Sequence, residues 1–311
     1  IRYEKVGDLK RAEAAYRVVL AQDSQQLVPY LGLGRIYTHL ILLPQAIRAF
    51  KAALKIAPNN YFALTNVGSA LRLTGDLEGA INALQKAKAL NPAGTGVHVL
   101  LGLCHKDQGD LAVAERVLRE AVFLTPLLDR AWNSLGIVLV LADKHQEAES
   151  CFLRASQIVP RHRGYWANLA AAREEQGKTA GAATAYRQAL ALGNDDSILW
   201  VAYARLLKKD IIGGDEGQLV QELLTCFGRD DLDHQNLFQN ALALVRPQSL
   251  WPCPSLRDPK GAAKVRSYLD TPLTKGILRH CLNTDPLFEK VLTGLRREFL
   301  LLASPDNDWH D

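Results

Sequence analysis

Apolar residues in this chain recur at helical spacing in short blocks, each broken by Gly, Asp or Pro. Residues 61–94 show the unit: ALTNVGSALRLT, then Gly75-Asp76, then LEGAINALQKAKAL, closed by Asn91-Pro92. A shift of 34 residues in either direction brings the unit back onto itself. Pro58, Pro92, Pro126 and Pro160 keep that spacing, and so do Ala12, Ala46, Ala80, Ala114, Ala148 and Ala182. The pattern predicts helix–turn–helix repeats at 27–60, 61–94, 95–128, 129–162 and 163–196, with partial units on either side. Residues 1–6 then read as the stump of a first helix, so the sequence reads as a fragment.

Within a repeat, the residue types predict the packing. The eighth residue is Gly34, Gly68, Gly102, Gly136, Ala170 or Ala204, and the twentieth is always Ala. Both are expected to stay small because the two helices of a repeat approach closely there. The fourth residue (Tyr30, Leu64, His98, Trp132, Trp166, Trp200) and the twenty-fourth (Tyr16, Phe50, Leu84, Leu118, Phe152, Tyr186) are expected to fill the space around these contacts. Gly7, Gly75, Gly109 and Gly177 supply the turn, and Asp8, Asp76 and Asp110 are expected to cap the second helix. Asp143 stands at the same turn in repeat 129–162 and tolerates left-handed backbone. Ile41 stands there in repeat 27–60, with no sequence rationale.

The period lapses after Lys209-Asp210. Helical patterning continues over roughly 216–227, 232–245, 261–270, 273–282 and 286–302, with Thr271-Pro272 and Asp285-Pro286 as helix starts. The resulting division is a repeat array at 1–210, capping helices at 211–245, a Pro-rich connector at 246–260, and a helical segment with an acidic tail at 261–311. Leu219, Leu223, Leu224 and Phe227 predict that helix 216–227 covers the last partial repeat.

A 34-residue helix–turn–helix period resembles the tetratricopeptide repeat (TPR) family over about the first two thirds of the chain. That resemblance implies an all-α, right-handed superhelical solenoid whose inner wall is built from the first helix of each repeat, mainly its second, fifth, ninth and twelfth residues. Residues 284–297 resemble a segment that precedes the S-adenosylmethionine-dependent catalytic domain in bacterial TPR-containing methyltransferases. The matching positions are Asp285, Pro286, Glu289, Leu292, Thr293, Leu295, Arg296 and Arg297. This second resemblance implies a bacterial, methyltransferase-associated protein whose catalytic domain lies outside this chain.

Composition narrows the function. At 48 % hydrophobic and 23 % charged residues, a net charge of +4 is too weak and too spread out to argue for a nucleic-acid partner. No apolar run reaches the roughly 18 residues of a membrane span. The five cysteines form no CxxC pair, which suits reduced thiols in the cytoplasm. His98 and His105 lie two helical turns apart, about 10.5 Å of rise, so core histidines are favoured over metal ligands. No catalytic set and no cofactor motif emerges.

The expected function is therefore a scaffold that holds a protein or peptide in its groove. The residues expected to line it are Leu31, Arg35, Phe62, Thr65, Ser69, Arg72, Val99, Leu103, Asn133, Ile137, Asn168 and Arg205. They lack the Lys/Asn/Arg carboxylate clamp of chaperone-binding TPRs. Of the Asn ladder of the O-GlcNAc transferase arm, only Asn66 and Asn168 remain. Self-association, or the chain's own C-terminal helices, is the competing occupant. A non-catalytic arm recruiting substrate for a methyltransferase, or less favourably a glycosyltransferase, is the alternative function.

Overall fold

The computed structural model describes residues 8–193, 196–207, 216–227, 229, 259–272, 274, 275 and 293. These residues are all-α, with no strand among them, and their contacts divide the chain into two compact units, 1–161 and 162–311.

The first unit contains α1 (Leu9–Gln22), α2 (Leu27–His39), α3 (Leu43–Ile56), α4 (Tyr61–Leu73), α5 (Leu77–Leu90), α6 (Thr95–Gln108), α7 (Leu111–Leu124), α8 (Asp129–Leu141) and α9 (His145–Ile158). Each first helix (α2, α4, α6, α8) packs against the second helix that follows it, and α1, α3, α5 and α7 each pack against the next first helix of the unit. First helices also touch one another, α4 against α6 and α6 against α8. Helices α3, α5, α7 and α9 all stop two residues short of a proline, as expected where Pro disfavours helical backbone before it.

The turns inside the hairpins share one backbone solution. Gly75, Gly109 and Asp143 have φ of +86°, +88° and +60°, and Ile41 adopts +59°. In each case the following N–H reaches back to the fifth residue before it: Asp76 to Leu71 at 3.0 Å, Asp110 to His105 at 2.9 Å, Lys144 to Leu139 and Leu42 to Tyr37 at 2.8 Å. This closes the helix C-terminus by satisfying a carbonyl that would otherwise lack a partner. The helix end therefore imposes the left-handed residue, and Ile41 accepts it at a steric cost.

Asp8 and Asp76 cap α1 and α5, accepting from Arg11 N at 3.1 Å and Gly79 N at 2.9 Å. The third expected cap is corrected: Asp110 makes no side-chain cap bond. There the first turn of α7 is closed by the main chain alone, with Ala114 N–H donating to the Asp110 carbonyl at 3.0 Å.

The core repeats from hairpin to hairpin. Ala46, Ala80, Ala114 and Ala148 are fully buried, as are Phe50, Leu84 and Leu118. A Cβ added at Gly34, Gly68, Gly102 or Gly136 would lie 2.5–2.6 Å from the side chain of Phe50, Leu84, Leu118 or Phe152. The nearest partner of the small eighth residue is thus the large twenty-fourth side chain, and at Gly68 the carbonyl of the twentieth residue, Ala80, follows at 3.2 Å. Burial of each such leucine contributes about 1.5–3 kcal/mol. The fourth residue fills less space than expected. Leu64, His98 and Trp200 are buried, whereas Tyr30, Trp132 and Trp166 are half-exposed, and Ala63, Val97 and Ala131 at the third place are fully buried as well.

The second unit contains α10 (Arg163–Glu175), α11 (Thr179–Ala191), α12 (Ser197–Leu206), α13 (Glu216–Phe227) and α14 (Pro259–Leu269). Helices α10 and α11 form a hairpin of the same kind, with Gly177 at φ +68° and Ala182 fully buried. Helix α12 packs on α11, and α13 contacts α12 with Leu223 and Cys226 fully buried. Thr271 accepts a hydrogen bond from Thr274 N at 3.2 Å, the cap expected at Thr271-Pro272. The expected helices 232–245 and 286–302, the connector at 246–258, nearly all of 273–282, and all of 284–297 except Thr293 lie outside the described residues.

Candidate binding surface on the first helices

Residues two, five, nine and twelve of a first helix fall on one stripe, because their spacings of three and four return to the same face. In the first unit, α2 presents Val28, Leu31 and Arg35, α4 presents Phe62, Thr65, Ser69 and Arg72, α6 presents Leu103 and Lys106, and α8 presents Asn133 and Ile137. Val28 and Phe62 are 56 % and 40 % exposed, large apolar groups left in water. Leu31, Thr65, Ser69, Leu103, Asn133 and Ile137 are half-exposed. Phe62 also meets the buried Phe50 edge-on, ring centroids 6.2 Å apart, so its base is fixed while its outer edge is open.

Two residues differ from expectation. Val99 is only 8 % exposed, so it belongs to the core rather than to an open wall. Its helix, α6, contacts first helices on both sides, α4 and α8. Arg72 is committed to its own chain, donating to Asp107 Oδ2 at 2.7 Å and so tying α4 to α6. Lys106 approaches the same carboxylate at 2.9 Å. Burial pushes the Asp107 carboxyl up, but hydrogen bonds from Lys106 and Arg72 outweigh it and hold it below the usual range.

In the second unit, the corresponding stripe carries small residues on α10, Ala167 and Ala171, and Ile198, Val201 and Arg205 on α12. Ile198 is 80 % exposed, and Arg205 pairs with Glu174 Oε1 at 3.4 Å. Asn168 is half-exposed, and Asn66 bonds back to the Phe62 carbonyl at 2.7 Å. Val28 and Ile198 are exposed wall residues outside the set expected from the sequence. Their signal was present, since both occupy the second place of a repeat, as Phe62 does.

Other candidate chemistry resolves into structure. His98 is buried, its Nδ1 3.2 Å from the Gly94 carbonyl and its Nε2 3.8 Å from Glu120. Burial pushes the thiols of Cys104 and Cys151 up to about 11, the opposite of what a reactive thiolate requires. Among the described residues, no group of His, Cys, Asp and Glu is arranged to hold a metal ion. No helix of the described residues is long and apolar enough to cross a membrane.

Five consecutive described hairpins, each with a buried Ala on its second helix and a left-handed residue at its turn, define a helical-hairpin repeat protein. Family models described as tetratricopeptide repeat match residues 42–95, 99–161 and 163–206, just over half the chain, and the chain belongs to that family. It is 30 % identical over 129 residues to tetratricopeptide repeat protein 7A of Homo sapiens, covering 42 % of this chain and 15 % of that protein. It is 27 % identical over 128 residues to BBSome complex member bbs-4 of Caenorhabditis elegans, 41 % of this chain and 28 % of that protein. The chain thus spans well under a third of these relatives. Among solved structures, the type IV pilus biogenesis factor PilW aligns with a TM-score of 0.59 at 22 % identity, covering 65 % of this chain and 93 % of PilW. The APC/C hetero-tetramer Cut9-Hcn1 aligns at 0.57 and 19 % identity, covering 86 % of this chain and 48 % of that one. These two alignments bear on the fold alone.

Proposed function

We propose that the chain binds a protein or peptide segment on the first helices of its repeats, with an apolar side chain of the ligand seated against Phe62. TPR proteins generally mediate protein–protein interaction. The observation that supports the reading here is the pairing of exposed Val28 and Phe62 with half-exposed Leu31, Leu103 and Ile137 on first helices of one unit. Exposed apolar groups of this kind favour association because binding removes them from water. Their polar neighbours, Thr65, Ser69 and Asn133, are uncharged and able to bond a ligand backbone. The methyltransferase-arm reading rests on the 284–297 resemblance, and no observation on the described residues favours it.

The test is selection from a random peptide library with the chain as bait, followed by titration of the selected peptide. Apolar or amphipathic peptides are expected, with affinity changing little between low and high salt. Phe62→Ala should weaken binding about tenfold or more, the loss of an aromatic anchor. Selection of strongly charged peptides, bound equally well by Phe62→Ala, would overturn the proposal.

A further inference from the structure

The wall of the first unit is uniform in the sign of its charge. The second, fifth, ninth and twelfth places of α2, α4, α6 and α8 hold four charged residues, Arg35, Arg72, Lys106 and Arg130, and all are cations. The whole chain has 37 basic and 33 acidic residues, so composition does not supply that bias. In the second unit the twelfth place of α10 is an acid, Glu174, and it answers the wall cation Arg205 at 3.4 Å. The stripe of the first unit holds no such acid.

The charge is concentrated where α4 meets α6. Arg72 and Lys106 share a single carboxylate, Asp107, at 2.7 and 2.9 Å. One negative charge against two positive ones leaves a net +1 there, and the three side chains are only 20–27 % exposed, which limits screening by salt. Phe62 stands ten residues before Arg72 on the same stripe, about 15 Å along the helix. Between them lie Thr65 and Ser69, whose hydroxyls suit a backbone with free N–H and C=O groups, as an extended strand has and a helix does not. We propose, resting on the groove reading above, that the ligand is an extended acidic-apolar segment, its apolar side chain on Phe62 and a carboxylate beside Arg72 and Lys106. At about 3.3 Å per residue, the two ligand residues are about four or five places apart.

The carboxylate acts on partner choice more than on strength. Ion pairs near the surface add little affinity, whereas a basic ligand residue at the same place meets uncompensated positive charge. Phe62 therefore supplies the attraction, and Arg72 with Lys106 supplies the discrimination, a division in which specificity comes from what is rejected. Arg35 and Arg130, both exposed on the same wall, extend the preference to residues flanking this part of the ligand.

The test is selection from a random peptide library with the full chain as bait, then titration of the winning peptide in three synthetic versions. These carry Glu, Gln or Lys at the place about four residues from the apolar anchor. Winning peptides are expected to hold Asp or Glu at about that spacing. The Lys version should bind about tenfold more weakly than the Glu version at low salt, with the gap narrowing as salt screens the repulsion. Lys106→Glu turns the local charge from +1 to −1 and should remove or reverse the preference, whereas Asp107→Asn raises it to +2 and should widen it. The opposite signs separate discrimination from loss of folding, which circular dichroism follows in parallel. Peptides that need Phe62 but bind equally well with Glu and Lys would overturn this inference and leave the groove reading standing. Peptides indifferent to Phe62→Ala would overturn both.

Discussion

Arg187 on α11 and Glu222 on α13 hold each other at both ends of the carboxylate, Nε to Oε1 at 2.7 Å and the terminal N–H to Oε2 at 3.1 Å. The same guanidinium donates to the hydroxyl of Tyr203 on α12 at 2.7 Å, so one side chain joins three helices of the second unit. Burial, with a hydrogen bond to Glu222, pushes the Tyr203 phenol upward and keeps it neutral across the physiological range. Glu222→Ala leaves a mostly covered guanidinium without its counter-charge and should cost about 1–3 kcal/mol. Thermal melting and limited proteolysis between α12 and α13 check this: a lower Tm with faster cleavage is expected, and unchanged values of both would refute the anchoring role.

Ile41 offers a change in the opposite direction. Its branched side chain sits at φ +59° with 79 % of its surface in water, so it carries steric strain with little burial in return. Ile41→Gly removes about 1–2 kcal/mol of strain and gives back roughly half of that as unfolded-chain entropy. The net expectation is a stabilisation of about 0.5–1 kcal/mol, read as a higher denaturant midpoint. A destabilised variant would show that Ile41 makes contacts worth more than its strain.

Val99 and Ile137 occupy related places on first helices but should respond differently to the same substitution. Val99→Glu buries a carboxylate beside α4 and α8 and should lower stability by several kcal/mol. Ile137→Glu introduces its charge at a half-exposed site, so helicity should be retained while peptide binding weakens. Circular dichroism and binding titrations on both variants separate the two effects.

Acid should weaken the first unit in a defined way. Hydrogen bonds from Lys144 and Arg119 hold Glu115 below the usual carboxylate range despite some burial, and a bond from Lys88 does the same for Glu120. Asp107 is likewise depressed. A depressed folded-state pKa contributes stability that is complete above the unfolded value, about 4. That contribution is lost as the pH falls through the lower, folded-state value. Midpoints of urea unfolding should therefore hold steady from pH 7 to about 5 and fall below about 4. Glu115→Gln should flatten the drop.

The repeat boundaries were legible because the constraint at each is local and severe. A fully buried Ala80 between two helices admits nothing larger, and Pro92 ends α5 wherever the rest of the chain goes. What escaped the sequence depends on neighbours. Ile41 takes a left-handed backbone because α2 closes with the same bond as α4 and α6, a demand made by the helix end that residue identity does not reveal. Val99 and Ile137 look alike as apolar letters, and only the packing of first helices beside each other separates buried from open. Phe62 was readable as a wall residue from its place in the repeat.

The outer helices of the first unit are strapped together by charge. Lys88 reaches Glu120 at 2.8 Å, Lys144 reaches Glu115 at 2.9 Å, and Arg119 reaches Glu147 at 2.6 Å, linking α5 to α7 and α7 to the start of α9. Salt screens these exposed links and leaves the Ala and Leu contacts beneath them untouched. Ionic strength should therefore act on the mechanics of the unit more than on its melting: the outer straps slacken, bending stiffness drops, and the hairpins remain folded around an unaltered core.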